Sequence, residues 1–534
     1  MSEQAEGRET RQRTALEEYE QSGEGRPPFI LTYTEVKLLG IAGVGFFLDA
    51  YDLFIINPVS TMLQFRLYGS GTMPSNLQGL LKAAANIGSV IGQFLFGYCA
   101  DAFGRKAIYG KELMLIIIAT ILCISTPTGT LSPTGCLIYL TMFRILLGVG
   151  VGGDYPMSAS VTSDRAVLRK RGTMLAYIFA NQGWGSFMGS LMNIIVLACY
   201  KHVMNDENET SKVDGVWRII VGLSLIPAFG TLYQRLTLPE STRFKKSQDA
   251  ELVEEGDLKK ETLVVEAHVH ATGSEGSVDE KRSTVPAHKK AHFRDVFQYF
   301  SEWRHLKILI GTCSCWFLLD IAFYGINLNT NVVLTEIGYA GGSGTPWEKL
   351  FKVATGNIII TALGFVPGYY VTVLTIEKLG RKTIQIMGFL MEALFLGILA
   401  GKFHTLSTAA FIVNFTLLQF FFNFGANATT YCYPAEVFPT RYRAFAHGMS
   451  AACGKSGAII SALVFNSLTT SIGTPAVLWI FVGCSLLGAG MKNYDFLSGT
   501  YCLTSWFAAF TFLLPEVAGR DPDAILAEEL RERQ

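Results

Sequence analysis

Long apolar runs alternate with short polar segments along most of this chain. A helix needs about 20 mainly apolar residues to cross a bilayer, because the hydrocarbon core is about 30 Å thick and each helical residue adds about 1.5 Å. The runs therefore predict twelve membrane spans, six on each side of a polar break. The predicted spans 1 to 12 cover 38–60, 77–99, 113–131, 135–158, 173–199, 216–238, 307–334, 351–376, 383–401, 406–433, 444–470 and 474–514.

The polar segments divide the chain into tails, bundles and a linker. The linker is rich in Lys, Glu, Ser and Thr, a composition that predicts a solvated, largely disordered segment. Its residues 292–300 mix apolar and charged positions and predict a short amphipathic helix on the membrane surface. We expect an amino-terminal tail over 1–36, a six-helix bundle over 37–238, the linker over 239–304, a second bundle over 305–516 and a carboxyl-terminal tail over 517–534.

The short loops differ in positive charge. Most basic residues lie in the loops after spans 2, 4, 8 and 10, and few lie in the opposite loops. Because Lys and Arg concentrate in cytoplasmic loops, we expect these loops, the linker and both termini to be cytoplasmic. We also expect a multi-pass protein of the plasma membrane. The basic loop residues are Arg105, Lys106, Lys111, Arg165, Arg169, Lys170, Arg171, Lys378, Arg381, Lys382, Arg441 and Arg443.

The last apolar run is too long for one crossing. A continuous helix over 474–514 would measure about 60 Å, twice the thickness of the hydrocarbon core. The surplus is polar in its middle, at 492–495. Either the helix is broken there, or 490–506 is a translated intron or gene-model artefact. We favour the second explanation, because removing 490–506 leaves one clean span.

Composition agrees with a membrane protein. The chain has 534 residues, of which 50% are hydrophobic and 16% are charged, and its formal net charge is zero. Soluble domains average about 25% charged residues. A balanced charge offers no surface for nucleic acid. Since no nucleophile–base pair, metal cluster or phosphate-binding glycine loop is visible, we expect no enzymatic activity, cofactor or metal. The oligomeric state stays open, with a monomer sufficient for activity.

Carboxylates lie inside the apolar runs. Asp49 and Asp52 belong to predicted span 1, Asp154 to span 4 and Asp320 to span 7. A charge at the membrane centre costs at least ~2.5–3.5 kcal/mol, so such residues face cavities and mark ion or proton paths. Arg144, in span 4, is the natural partner for a buried carboxylate such as Asp154 or Glu112.

Span 7 carries a polar stripe. Trp316, Asp320 and Tyr324 are four residues apart, and four residues turn a helix by about 400°, so the three side chains share one face. An aromatic, a carboxyl and a phenol in one line suit a polar ligand, although such a stripe can also serve only packing. Other spans supply Gln182, Asn427 and Lys455. Amides in membranes often only join helices, whereas a buried lysine is costlier and more often functional.

Two motifs resemble a known family. The loop after span 2 contains Asp101, Gly104, Arg105 and Lys106, and 377–382 repeats its pattern after span 8. This pair of loops resembles the major facilitator superfamily, and the resemblance covers nearly the whole chain. The run Gly152-Gly153-Asp154-Tyr155-Pro156-Met157-Ser158, followed by Asn181-Gln182-Gly183, is similar to the phosphate:proton symporters of fungi and plants, with the fungal branch fitting best. The resemblance implies an all-α membrane protein with twelve transmembrane helices in two pseudo-symmetric six-helix bundles.

The resemblance also implies roles for individual residues. Those matching the phosphate-binding positions are Tyr155, Gln182, Trp316, Asp320, Tyr324, Asn427 and Lys455. Those tied to proton movement are Asp49, Asp52 and Asp154, to which we add Asp320. Those of the cytoplasmic charge network and the gating loops are Asp101, Arg105, Glu112 and Arg144.

The sequence therefore predicts a proton-coupled importer of inorganic phosphate that works by alternating access. We expect a protonated Asp320 to donate a hydrogen bond to phosphate, so that proton and anion bind together while Lys455 supplies positive charge. A sugar:proton symporter is an alternative, because the Gly-Arg-Lys loops are shared with sugar porters. A phosphate sensor with little transport is an alternative of another class.

Overall fold

The structure, a computed structural model, describes residues 27–69, 72–245, 293–336, 339, 344–489 and 510–531. Within these ranges all regular secondary structure is helical, in agreement with the predicted all-α class. The linker residues 246–292, the suspected insertion 490–506 and the first part of the amino-terminal tail lie outside the described residues.

Each predicted span contains a helix. Within the described residues, ten of these helices are long and apolar enough to cross a membrane. The other two, spans 5 and 12, are helices of 29 and 16 residues. Spans 1 to 6 are Tyr33–Tyr68, Ser75–Phe103, Arg105–Ile124, Pro133–Arg165, Arg171–Cys199 and Thr210–Leu236. Spans 7 to 12 are Trp303–Asn327, Pro346–Leu379, Arg381–Gly401, Thr408–Val437, Arg443–Ile472 and Thr474–Ala489.

Span 1 begins earlier than predicted, inside the expected tail. Thr32 accepts a hydrogen bond from the backbone N–H of Glu35, and the Glu35 carboxylate accepts one from the Thr32 N–H. This capping box satisfies backbone donors that the first helical turn leaves unpaired, so the helix begins at Tyr33. The helix breaks at Ile55 and resumes at Ile56.

The two halves repeat the same turn. Gly104 ends span 2 with φ +90°, and Gly380 ends span 8 with φ +80°. L side chains rarely adopt this conformation, which favours glycine at both positions. The sequence echo between these loops therefore reflects one backbone geometry used twice.

A glutamate anchors each of these turns. The backbone N–H of Lys106 donates to Glu240, at the end of span 6, at 3.0 Å. In the second half, the backbone N–H of Lys382 donates to Glu516 at 3.1 Å. Glu516 follows the last span at the position that corresponds to Glu240 in the first half. Both glutamates end a Leu-Pro-Glu run, at 238–240 and 514–516, and the two runs have the same structural role.

Spans 2 and 4 pack backbone against backbone. A Cβ atom added to Gly88 would collide with the Ile145 carbonyl, and one added to Gly148 would collide with the Ala85 carbonyl. Small residues at such crossings allow the close approach that drives helix association in lipid. The outer faces are apolar instead: Met142, for example, is 61% exposed.

The helix predicted at the end of the linker is present as Phe293–Phe300. Its place on the membrane surface stays a prediction, and Val296 and Phe300 are buried in a cluster with Phe438. Phe297 points away and is 70% exposed. The apolar face of this helix is therefore mostly satisfied by the protein itself.

The carboxyl-terminal tail ends in a docked helix, Pro522–Arg531. The Asp523 carboxylate accepts hydrogen bonds from the backbone N–H and the hydroxyl of Thr440, both at 2.6 Å. Burial alone would raise the pKa of Asp523, but the nearby Arg443 guanidinium and the Thr440 hydrogen bonds outweigh it and hold that pKa below its ordinary value. The tail is thereby tied to the loop between spans 10 and 11.

Candidate substrate site between the two halves

The span 7 stripe forms a buried cluster with a lysine of span 11. Trp316, Asp320 and Tyr324 are each at most 3% exposed. The Lys455 ammonium donates to the Tyr324 hydroxyl at 2.5 Å and to the Asp320 carboxylate at 3.3 Å. The structure therefore places four of the predicted binding residues within hydrogen-bonding or packing distance of one another.

Gly454 allows span 11 to come this close. A Cβ at Gly454 would lie 2.5 Å from the Trp316 indole ring, well inside normal contact. Because the next residue is Lys455, the absence of a side chain at 454 lets the ammonium reach the stripe. Close packing against Trp316 therefore explains the glycine that precedes Lys455.

The first half contributes two further predicted residues. The Gln182 amide of span 5 donates to the Tyr155 hydroxyl of span 4 at 2.6 Å. The Lys455 ammonium lies 5.2 Å from the centre of the Tyr155 ring, within the range of a cation–π contact. The cluster consequently draws side chains from both halves.

Tyr369 of span 8 completes this network, and sequence reasoning missed it. Its hydroxyl donates to Gln182 at 3.2 Å and accepts from the Asn427 amide of span 10 at 2.8 Å. No motif, charge or spacing marked Tyr369 among the aromatic residues of the spans. All seven predicted binding residues and Tyr369 therefore belong to one connected buried cluster, here called the central site.

The charges of the central site are balanced. Lys455 and Asp320 are each 1% exposed, and they neutralise each other across 3.3 Å. The other polar groups are neutral hydroxyls, amides and an indole. Such a site can hold an oxyanion through one ammonium and several hydrogen-bond donors once the Asp320 carboxylate no longer pairs with the Lys455 ammonium.

Asp154 and Glu112 lie in a separate charge cluster of the first half. Both bind Arg235 of span 6, whose guanidinium is 2.6 Å from Asp154 and 3.2 Å from Glu112. The expectation that Arg144 pairs with one of these carboxylates was wrong. Arg235 lies near the end of an apolar run, where a basic residue is easily taken for a loop marker.

Arg144 instead binds span 1. Its guanidinium donates to the backbone carbonyl of Asp52 at 3.1 Å. Arg144 and Asp154 are ten residues apart on one helix, or about 15 Å along its axis, so they cannot pair directly. Arg144 therefore does not belong to the same cluster as Glu112, contrary to the predicted cytoplasmic network.

Asp49 lies between the first-half cluster and the central site. Among the residues that the structure describes, neither of its carboxylate oxygens has a hydrogen-bond partner. It interacts electrostatically with Asp154 and Arg235 on one side and with Lys455 on the other. Asp49 is therefore a predicted proton-coupling residue that this arrangement connects to the central lysine.

The end of the molecule that holds Arg105, Arg381 and Arg443, here called the basic end, is closed by bonds between the halves. Asp164 of span 4 forms an ion pair with Arg443 of span 11. Arg105 also binds Asp164, at 2.9 Å, and donates to the Thr440 carbonyl at 2.9 Å. The Asp101 carboxylate accepts from a backbone N–H of span 11 at 2.8 Å. Asp101 and Arg105 are thus at an interface. Sequence reasoning missed Asp164 and treated Arg443 only as a basic loop residue.

Hydrogen bonds also join the halves at the opposite end. The Asn57 amide donates to the Asn327 carbonyl at 2.5 Å, and the Lys82 ammonium donates to Asn329 at 2.8 Å. The Trp347 indole donates to a carbonyl of span 5 at 2.7 Å. The central site therefore lies between two closures.

Comparison with known proteins identifies the family of this chain. The profile of the sugar (and other) transporter family matches residues 38–492. The chain belongs to this family of the major facilitator superfamily. The resemblance to fungal phosphate transporters is confirmed at the level of relatives. A Schizosaccharomyces pombe protein whose name marks it as a candidate inorganic phosphate transporter is 43% identical over 96% of this chain and 92% of its own.

Further relatives agree. The inorganic phosphate transporter PHO84 of Saccharomyces cerevisiae is 39% identical over 90% of this chain and 84% of its own. Among solved structures, the proton:xylose symporter XylE of E. coli aligns with a TM-score of 0.67 over 92% of this chain and 98% of that one. At 20% identity, this likeness concerns the fold, which is the two-bundle major facilitator fold.

Proposed function

We propose that this transporter imports inorganic phosphate together with protons and works by alternating access. The names of its relatives support phosphate as the substrate. The observation that carries the proposal is the buried Lys455, held between Tyr324 and Asp320 where the two halves meet. A lone ammonium among hydroxyl, amide and indole donors suits a small oxyanion.

Coupling follows from the shared lysine. While Asp320 is ionised, its charge competes with an incoming anion for Lys455 and repels that anion. A proton on Asp320 removes both effects and adds an O–H donor. Proton and phosphate then bind together, and loss of the proton towards the cytoplasm favours release of the anion.

The route of the proton involves the first half. Asp49 interacts with Lys455 and with the Asp154–Arg235 pair, so a proton on Asp49 would change the field at both. Asp154 is tied to Arg235 and would act by holding this cluster together. Asp52, beside Arg144, is the candidate for the earlier part of the path.

Alternating access requires the two closures to open in turn. We place the basic end in the cytoplasm, together with both termini and the central linker, on the positive-charge rule. Opening inward would break the Asp164–Arg443 contact, and opening outward would break the Asn57–Asn327 contact. The bundles 37–238 and 305–516 would each move as a rigid unit relative to the other. We place the protein in the plasma membrane.

The test is uptake of radiolabelled phosphate by the full chain in proteoliposomes. We expect uphill accumulation when the outside is made acidic, no accumulation when a protonophore is present, and resistance to excess sugar. Inhibition by a sugar would favour the sugar:proton symporter instead. Phosphate binding without uptake would favour the sensor.

A further inference from the structure

A cavity lined by both polar and apolar side chains lies next to the central site. It is bounded by spans 1, 5, 7 and 8, and the centre of a water molecule can occupy about 50 Å³ of it. Since one water needs about 10–15 Å³ on this measure, the space admits a few waters or one tetrahedral oxyanion. We call it the amide cavity, because Asn57, Asn193, Asn327 and Asn357 line it.

The amide cavity is stacked on the central site on the side away from the basic end. Ser186, which lines it, is one turn beyond Gln182 on the same face of span 5. The ring of Phe54 separates the two spaces, stacking on Tyr324 at 5.9 Å and meeting Phe365 edge-on at 6.2 Å. A solute that enters from the opposite end would reach the amide cavity first.

Three residues that line the cavity have buried polar atoms that lack partners. Asn57 Oδ1, Asn193 Oδ1 and Ser186 Oγ have no hydrogen-bond partner among the described residues, and each side chain belongs to a residue at most 5% exposed. The orientation of Asn57 is set by its own amide nitrogen, which donates to Asn327. Unpaired buried acceptors are costly, so this arrangement favours a ligand that brings donors.

The charge of the lining narrows the choice of ligand. None of the described residues that line the amide cavity is charged. Dihydrogen phosphate carries two P–O–H groups, which can donate to the two asparagine oxygens, while the Ser186 hydroxyl donates to one of its unprotonated oxygens. Sulfate carries no proton near neutral pH, so it would leave both asparagine oxygens facing an anion.

We infer that the amide cavity is a second anion site, which binds dihydrogen phosphate and excludes sulfate before either anion reaches the central site. This inference rests on the proposed function and adds to it the protonated form of the substrate. With no cation in the lining, binding there is weak enough for the anion to move on past Phe54 to Lys455.

Uptake kinetics test the inference. In proteoliposomes, Asn193→Leu and Ser186→Ala should raise the KM for external phosphate about fivefold to tenfold, leave the rate at saturating phosphate within about twofold, and make uptake more sensitive to excess sulfate. Ser60→Ala is the matched control, because Ser60 does not line the cavity and its hydroxyl donates to the backbone carbonyl of Asn57. Wild-type KM and wild-type sulfate resistance in both test variants would overturn the inference.

Equilibrium binding separates this inference from the proposed function. Lys455→Gln, which disables the central site, should retain sulfate-resistant binding of inorganic phosphate, and Ser186→Ala added to it should weaken that binding. Loss of all phosphate binding in Lys455→Gln would refute a second site while leaving phosphate import intact. Retained binding in a wild-type protein that shows no uptake would refute import and leave the second site standing.

Discussion

Replacing Asp320 with Asn isolates the coupling step, because the side chain keeps its size and loses its charge. The Asp320 oxygen and the Lys455 nitrogen are 3.3 Å apart and both residues are buried. At an effective dielectric constant of about 20, two unit charges at that distance attract by about 5 kcal/mol. Phosphate must compete with this attraction whenever Asp320 is ionised.

The expected effect is a shift in how affinity depends on pH. If the competition costs even about 1.4 kcal/mol, ionised Asp320 weakens phosphate binding about tenfold. Asp320→Asn should therefore bind phosphate about tenfold more tightly than the wild type at alkaline pH, with little difference at acidic pH. Since the variant cannot exchange a proton at this position, it should lose proton-driven accumulation while keeping phosphate–phosphate exchange.

The assay compares equilibrium binding of radiolabelled phosphate with uptake and counterflow in proteoliposomes, each at matched pH. Glu392→Gln is the control, because Glu392 is also a fully buried carboxyl of the second half but bonds only to Ser485 among the described residues. It should leave accumulation intact. Uphill, proton-dependent accumulation by Asp320→Asn would refute the coupling scheme.

Three further perturbations follow from the structure. Arg235→Gln leaves the buried Glu112 and its neighbouring carboxylate without their cation, so thermal unfolding in detergent should show a loss of about 3–5 kcal/mol. Gly454→Ala forces a methyl group against the Trp316 ring and should cost about 1–3 kcal/mol while weakening phosphate binding. The pKa of Asp523 is held low in the folded state, so ionised Asp523 stabilises docking of the Pro522–Arg531 helix. This stabilisation is fully present above about pH 4 and is lost as the pH falls through the lowered pKa. Hydrogen exchange of the helix backbone amides can follow its release.

Each of the three has its own check. Double replacement of Arg235 and Asp154 by neutral residues should recover part of the loss. Full additivity of the two effects would contradict an energetic link between Arg235 and Asp154. Gly483→Ala, with open space around it, should be silent where Gly454→Ala is not. Asp523→Asn should remove the acid-dependent release of the tail helix, and an unchanged pH profile would show that another group titrates.

The number of spans, the central polar break and the Trp316, Asp320, Tyr324 stripe could be read from the sequence. Each depends on a distance along one helix: about 20 residues set a crossing, and steps of four set a face. The repetition of the glycine turn after spans 2 and 8 was visible as an echo in the sequence, although its hydrogen bonds to Glu240 and Glu516 were not.

Partnerships between helices required the tertiary structure. Arg235 reaches Asp154 from span 6, Tyr369 links Gln182 to Asn427, and Arg443 binds Asp164 across the two halves. The pairs Arg235–Asp154, Tyr369–Gln182 and Arg443–Asp164 are 81, 187 and 279 positions apart in the chain. No periodicity within one helix relates residues so far apart. A side chain's face follows from its own helix, but its partner depends on how the helices cross.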